Sequence, residues 1–177
     1  MISVRKRTLA ALAAECECLG GEKMEFTRFI EAVDLQRMEQ DAIYHNIAVR
    51  CGLSDMAHRI LYVVSDEDKS YTQQELCGLC SCAKQTVNSA ISGLVKNGFI
   101  ELEVIPGTRN QKKILLTAKG RELAKNTTDL LREAEQRAYS RFSEDELKFY
   151  IELTERITAA VREETASLPP FDPAQLD

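Results

Sequence analysis

The stretch from Tyr71 to Gly120 constrains the fold most, because its apolar residues switch within it from helical to extended spacing. Thr72 followed by Glu75 has the spacing of a capping box, which predicts a helix beginning at Gln73. That helix is expected to turn Leu76 and Cys77 inward, with Leu79 and Cys80 beside them, and to break at Ser81. A second helix follows. Val87, Ile91, Leu94 and Val95 recur at i, i+4, i+7 and i+8, one apolar stripe at helical period. Opposite the stripe stand Lys84, Gln85, Asn88, Ser89 and Ser92, all able to hydrogen-bond to base edges or phosphates. Asn97-Gly98 reads as a left-handed stop. Phe99 to Ile105 and Lys112 to Leu116 then read as strands, joined by the polar tip Pro106-Gly107-Thr108-Arg109-Asn110. Helix, turn, helix and hairpin in this order make a winged helix-turn-helix, an architecture suited to reading DNA.

Charge supports a focused polyanion contact rather than an indiscriminate one. The net charge of the 177 residues is −5, yet from Lys84 to Lys125 eight Lys/Arg face three Glu. From Asp129 to Asp177 six basic residues stand against twelve acidic ones. A basic middle in an acidic chain is the footprint of a local phosphate contact, and also what an ordinary solvated surface can look like. No stretch approaches the ~18 apolar residues of a transmembrane helix. Arg5-Lys6-Arg7 before Thr8 to Ala14 imitates a signal peptide, but Glu15 and Glu17 cut the apolar part short. A cytoplasmic chain without a membrane partner is expected.

Around the reading unit the chain is helical, giving a mainly α (α+β) fold class. Residues 1–23 form an N-terminal extension with helical pattern and the double glycine Gly20-Gly21. Residues 24–65 carry a long helix through Phe26, Phe29, Ile30, Val33, Met38, Tyr44, Ile47 and Ala48, closed by Gly52. Ser54 then caps a helix with Met56, Ile60, Leu61 and Val64. Residues 66–120 hold the polar loop and the winged unit. Thr117 is the expected N-cap of one helix running to about Tyr139, and Ser143 with Glu146 forms a second capping box. Residues 121–165 thus supply C-terminal helices, and 166–177 a loose, proline-rich tail. Long amphipathic helices at both ends suit a two-fold homodimer, which would set two recognition helices ~34 Å apart on a palindromic operator. A monomer whose ends pack on its own core is the alternative.

Several of these runs resemble the MarR-type regulators. They are Thr72-Gln73-Gln74-Glu75-Leu76, Lys84-Gln85-Thr86-Val87, Ile91-Ser92-Gly93-Leu94, Lys96-Asn97-Gly98-Phe99-Ile100, and Ile114-Leu115-Leu116-Thr117-Ala118-Lys119-Gly120. The resemblance covers about residues 24–165. It implies a dimeric DNA-binding regulator of double-stranded DNA, often a repressor. The helix over about 83–97 would enter the major groove and the wing over about 100–116 the minor groove. Lys84, Gln85, Thr86, Asn88, Ser89, Ser92, Arg109, Asn110 and Lys112 are then the expected DNA contacts. Family wings present Asp-x-Arg or Asp-Arg at the tip; Arg109 matches the arginine, while Thr108 and Gly107 stand where the aspartate would be. The resemblance also implies a small aromatic effector held between the dimer helices and the reading unit. Tyr44, His45, His58 and Arg59 are candidates for it by position.

The six cysteines leave alternatives open. Cys77-x-x-Cys80-x-Cys82 has the look of a metal or cluster ligand set, but the helix-turn-helix wants small or apolar residues at all three places, which cysteine satisfies. Only His45 and His58 could add a ligand, with no ligand spacing, so no metal is assigned. Cys16-x-Cys18 lies where some hydroperoxide-sensing relatives carry a reactive thiol, so Cys16 and Cys18 are redox candidates. The alternative to an effector-controlled repressor is therefore a thiol-based redox or metal sensor on the same fold. No nucleophile–base pair, phosphate-cradling glycine loop or two-histidine metal motif appears, so neither a catalytic residue nor a cofactor is expected.

Overall fold

The computed structural model describes residues 26–66, 69–80, 82–108 and 111–170. The extension of residues 1–23, with Cys16 and Cys18, and the end of the tail lie outside the described residues, as do Arg109 and Asn110. Seven helices and three strands follow in order among the described residues: α1 (Phe26–Arg50), α2 (Asp55–Val64), β1 (Tyr71–Thr72), α3 (Gln73–Cys80), α4 (Lys84–Lys96), β2 (Ile100–Val104), β3 (Lys112–Leu116), α5 (Ala118–Lys125), α6 (Thr128–Tyr139) and α7 (Glu144–Ala166). None of these helices is long and apolar enough to cross a membrane. The chain divides into two compact units, one ending at Thr128 and one beginning at Asp129.

In the first unit, local signals place most helix ends. Ser54 Oγ accepts from the Ala57 amide and starts α2. The Thr72–Glu75 box starts α3: the Thr72 amide and hydroxyl both donate to Glu75 Oε2, and Thr72 Oγ1 accepts from the Glu75 amide. These bonds to its ionised form hold the Glu75 carboxyl below the ordinary range. Gly98, at φ +71°, ends the turn after α4 in the left-handed region where glycine is favoured. One core joins the elements. Ala57, Ile60 and Val64 of α2 meet Leu76 and Cys80 of α3, Val87, Ile91 and Leu94 of α4, Ile100 of β2 and Ile114 of β3.

Four expectations need correction. The sheet has three strands, not two, in the order β1-β3-β2. Tyr71 pairs with Ile114 and Thr72 with Lys113, so the two residues before α3 take their extended form from a partner far along the chain. Leu79 is 59% exposed, whereas Leu76 and Cys80 are buried and the half-buried Cys77 packs against the same core, so only Leu79 turns outward. Val95, at the margin of the α4 stripe, is 39% exposed. Finally, the helix after Thr117 stops at Lys125 and restarts at Thr128. Asn126 Nδ2 donates to the Glu122 carbonyl, and the hydroxyls of Thr127 and Thr128 donate to those of Leu123 and Ala124. Short polar side chains compete there with the helical ladder and break it.

The hairpin carries alternation into the core. Ile100 faces Leu116 and Leu102 faces Ile114 across the ladder, with Glu101, Glu103, Lys113 and Leu115 on the other face. Behind it, α5 is fastened closely. Thr117 Oγ1 accepts from the Gly120 amide and lies 2.7 Å from the Gly98 carbonyl oxygen, while the Thr117 amide donates to the Phe99 carbonyl. Lys119 Nζ donates to the Asn97 carbonyl and sits 4.7 Å from the Phe99 ring centroid. Gly120 is what lets these groups come together: a Cβ there would lie 1.8 Å from the Phe99 carbonyl oxygen.

In the second unit, Ser143 and Glu146 form the full capping box of α7. The apolar residues of α7, including Tyr150, Ile151, Ile157 and Val161, are exposed in the single chain.

Candidate nucleic-acid interface

The α4 helix divides its residues cleanly between two environments. Val87, Ile91 and Leu94 are at most 2% exposed, so the opposite face must point outward. There Lys84, Gln85, Asn88, Ser89 and Ser92 line a shallow groove of about 540 Å³. Thr86 is exposed on the same helix. This face offers one ammonium, two amides and two hydroxyls, which together can meet acceptors and donors on base edges and phosphate oxygens.

Asn88 is not a loose side chain. Half-buried, its Oδ1 accepts from Nε2 of Gln73, the first residue of α3. The bond fixes Asn88 against the neighbouring helix and leaves its amide nitrogen to donate elsewhere. Gln73 is a site residue that sequence reading missed. Its position at the start of a capped helix gave no sign that it would reach fifteen residues along the chain.

The wing tip is a tight turn. Ile105 O accepts from the Thr108 amide at 3.2 Å and the Thr108 hydroxyl at 2.8 Å. Pro106 and Gly107 occupy the two central positions, with Gly107 at φ +79°, the arrangement of a type II turn. Arg109 and Asn110 follow directly in the sequence but lie outside the described residues. Lys112 opens β3 opposite Val104 and is exposed.

The effector candidates sit in different environments. His45 Nδ1 lies 2.9 Å from Asp55 Oδ1 in an exposed pair between α1 and the start of α2. His58 is buried at 5% exposure, Tyr44 is 41% exposed and Arg59 is exposed. None of the four lines the α4 groove, or the hollow of about 660 Å³ bordered by Lys69, Glu101, Lys113, Leu115 and Arg121 at the outer face of the sheet.

The cysteines correct another expectation. Cys80 is buried in the core and Cys77 half-buried, but Cys82 is exposed and does not serve as an apolar core residue. Cys51 is half-buried, and all four described cysteines are free. Among the described residues, no group of three His, Cys, Asp or Glu side chains could hold a metal ion.

Comparison with known proteins places this geometry. The MarR family model matches residues 52–109, from the turn before α2 to the wing tip. The structure is similar to that of the transcription regulator MarR from Oenococcus oeni, at TM-score 0.63 and 15% identity over 74% of this chain and 98% of that one. It is similar to NadR in complex with 4-hydroxyphenylacetate, at TM-score 0.60 and 13% identity over 78% and 94%. It is also similar to the MepR–DNA complex of S. aureus, at TM-score 0.52 and 21% identity over 76% and 96%. At these identities the likeness establishes the fold. Among curated proteins there is no match.

Proposed function

We propose that this chain, whose residues 52–109 match the MarR family model and whose fold is that of MarR-type regulators, is a dimeric, sequence-specific transcriptional regulator. It acts as a repressor, and a small aromatic effector relieves it. The observation that carries this reading is the α4 face: five polar side chains along one groove, set by a fully buried stripe behind them. In this reading α4 enters the major groove, with Gln85, Asn88 and Ser89 toward the bases and Lys84 toward phosphate. The wing lies along the minor groove, with Arg109 inserted and Lys112 on phosphate.

Dimerisation is supported by apolar residues that a lone chain leaves in water. On α1 these include Phe26, Ile30, Val33 and Met38, and on α7 Phe149, Tyr150, Ile151 and Val161. Exposed apolar rows of this extent mark an association surface. That NadR was solved with 4-hydroxyphenylacetate supports an aromatic effector, and that MepR was solved with DNA supports the nucleic-acid partner.

The test is a pair of alanine variants titrated by fluorescence anisotropy against a duplex that the protein itself has selected from a random pool. Asn88→Ala should weaken binding by about 1–3 kcal/mol, roughly 5- to 150-fold, and relax preference at one base position. Arg109→Ala should weaken binding and reduce the salt slope by about one. Unchanged affinity and unchanged base preference in both variants would refute the residue assignment. A thiol-controlled form of the same regulator is the second reading, favoured by Cys77 and Cys80 on α3 and the exposed Cys82 in the turn before α4.

A further inference from the structure

Two side-chain amides meet between α3 and α4, fifteen residues apart in the chain: Gln73 Nε2 donates to Asn88 Oδ1. Both residues are half-buried, and the Gln73 end is held from two sides. The Thr72–Glu75 box pins the start of α3, and Thr72, the residue before Gln73, pairs with Lys113 in the sheet. Leu76 and Val87 lie in one core, which holds the two helices together. Asn88 stands in the middle of the α4 groove, with Lys84 one turn before it and Ser92 one turn after. Among the described residues no other group bonds to either side-chain amide.

We propose that Gln73 decides which base Asn88 reads, turning it from a reader of adenine into a reader of guanine. A free asparagine in the major groove takes adenine with both ends of its amide: the oxygen accepts from N6 and the nitrogen donates to N7. That pairing needs oxygen and nitrogen side by side toward the base. Here the oxygen is turned toward α3 and already accepts from Gln73, so Asn88 presents its NH2 group, two donors and no acceptor. Guanine sets two acceptors, N7 and O6, next to each other on that edge, whereas adenine sets its N7 acceptor beside the N6 donor. A donor-only side chain pairs with the first and meets an unanswered N–H on the second. Gln73 is thus a positioning residue that acts through Asn88. The inference rests on the DNA-binding function, with α4 in the major groove.

Removing the bond and reversing it have different consequences. Gln73→Ala frees the Asn88 oxygen and restores the adenine pairing. Gln73→Glu puts an acceptor-only carboxylate in its place, so Asn88 Nδ2 must donate inward and Oδ1 turns outward. An outward oxygen is repelled by both guanine acceptors and accepts instead from adenine N6 or cytosine N4. An acidic residue in the first turn of α3 also suits the helix dipole, so this variant keeps the fold while reversing the polarity of the contact. Gln85, exposed on the same groove, makes no bond to Gln73 and supplies the control.

The experiment selects duplexes from a random pool with the reduced full chain and with its Asn88→Ala, Gln73→Ala and Gln73→Glu variants, and sequences each enriched pool. The position whose preference Asn88→Ala relaxes is the one that Asn88 reads. The parent protein should enrich a G·C pair there, and titration by anisotropy should show roughly 5- to 150-fold weaker binding when A·T replaces it. Gln73→Ala should enrich A·T at that position, and Gln73→Glu should abandon the parent's pair for A·T or for the reversed C·G. Every other position, the one read by Gln85 included, should stay as in the parent. A merely structural Gln73 would instead lower affinity for all duplexes alike and leave the preferred base unchanged, which would overturn the inference. So would an A·T pair there with the parent protein, meaning that the two amides meet the other way round. A palindrome whose preferences all survive Asn88→Ala would overturn it too. A pool that stays random with the parent protein would overturn the DNA-binding reading itself, and this inference with it.

Discussion

Gly120→Ala is expected to destabilise the winged unit more than any other methyl-sized change in it. The new Cβ would stand 1.8 Å from the Phe99 carbonyl oxygen, 2.8 Å from its carbon and 3.1 Å from Leu116 Cδ2. The nearest atoms are backbone, so no side-chain rotation relieves them. They belong to a carbonyl that also accepts from the Thr117 amide, so α5 must lift from the start of β2 and lose its fastening. A cost of about 3 kcal/mol or more follows, in the range of severe overpacking. For a unit of this size that lowers the melting temperature by roughly 12 °C or more. Gly93→Ala is the internal control, since its Cβ would meet nothing within 4 Å and alanine favours helix by about 1 kcal/mol. Thermal melts by circular dichroism should move in opposite directions. Melts of Gly120→Ala and the parent protein that coincide would show that α5 is not packed as described.

Leu94→Ala carries the second large effect. Leu94 is 1% exposed and joins α4 to the core that also holds Ile60, Ile91 and Ile100. Truncating it removes three carbons and leaves a cavity, at about 2–5 kcal/mol. Val95, one residue on and 39% exposed, should cost about 1 kcal/mol or less when changed to alanine. Urea midpoints of the two variants separate an inward from an outward position on the recognition helix. Equal losses would mean that α4 turns a different face to the core.

What could be read in advance was local or periodic. The Thr72–Glu75 and Ser143–Glu146 boxes announce helix starts within four residues, and both appear in the structure. The stripe Val87, Ile91, Leu94 determined the buried face of α4, and the polar face of the candidate site followed as its complement. The features not read depend on residues far apart in the chain. β1 exists because Tyr71 and Thr72 meet β3 some forty positions later. Gln73 matters because it reaches Asn88, and Gly120 because the Phe99 carbonyl presses on it. The break at Asn126 is a different case: Asn-Thr-Thr side chains competing for helical carbonyls were visible, but an apolar pattern continuing on both sides hid them. For Arg109 the sequence supplies a residue type and a position at the wing tip.

The central claim, that this chain reads DNA sequence as a two-fold dimer, is tested most directly by selection from a random duplex pool. The reduced protein is taken through successive rounds, and the enriched duplexes are sequenced and titrated by anisotropy across a salt series. The expected product is a palindrome whose half-sites lie about 10 base pairs apart, one turn of duplex. Binding to it should be at least ~10³-fold tighter than to a scrambled duplex at moderate salt, weakening steeply as salt rises. A pool that stays random, with equal affinity for every duplex at each salt concentration, would contradict it.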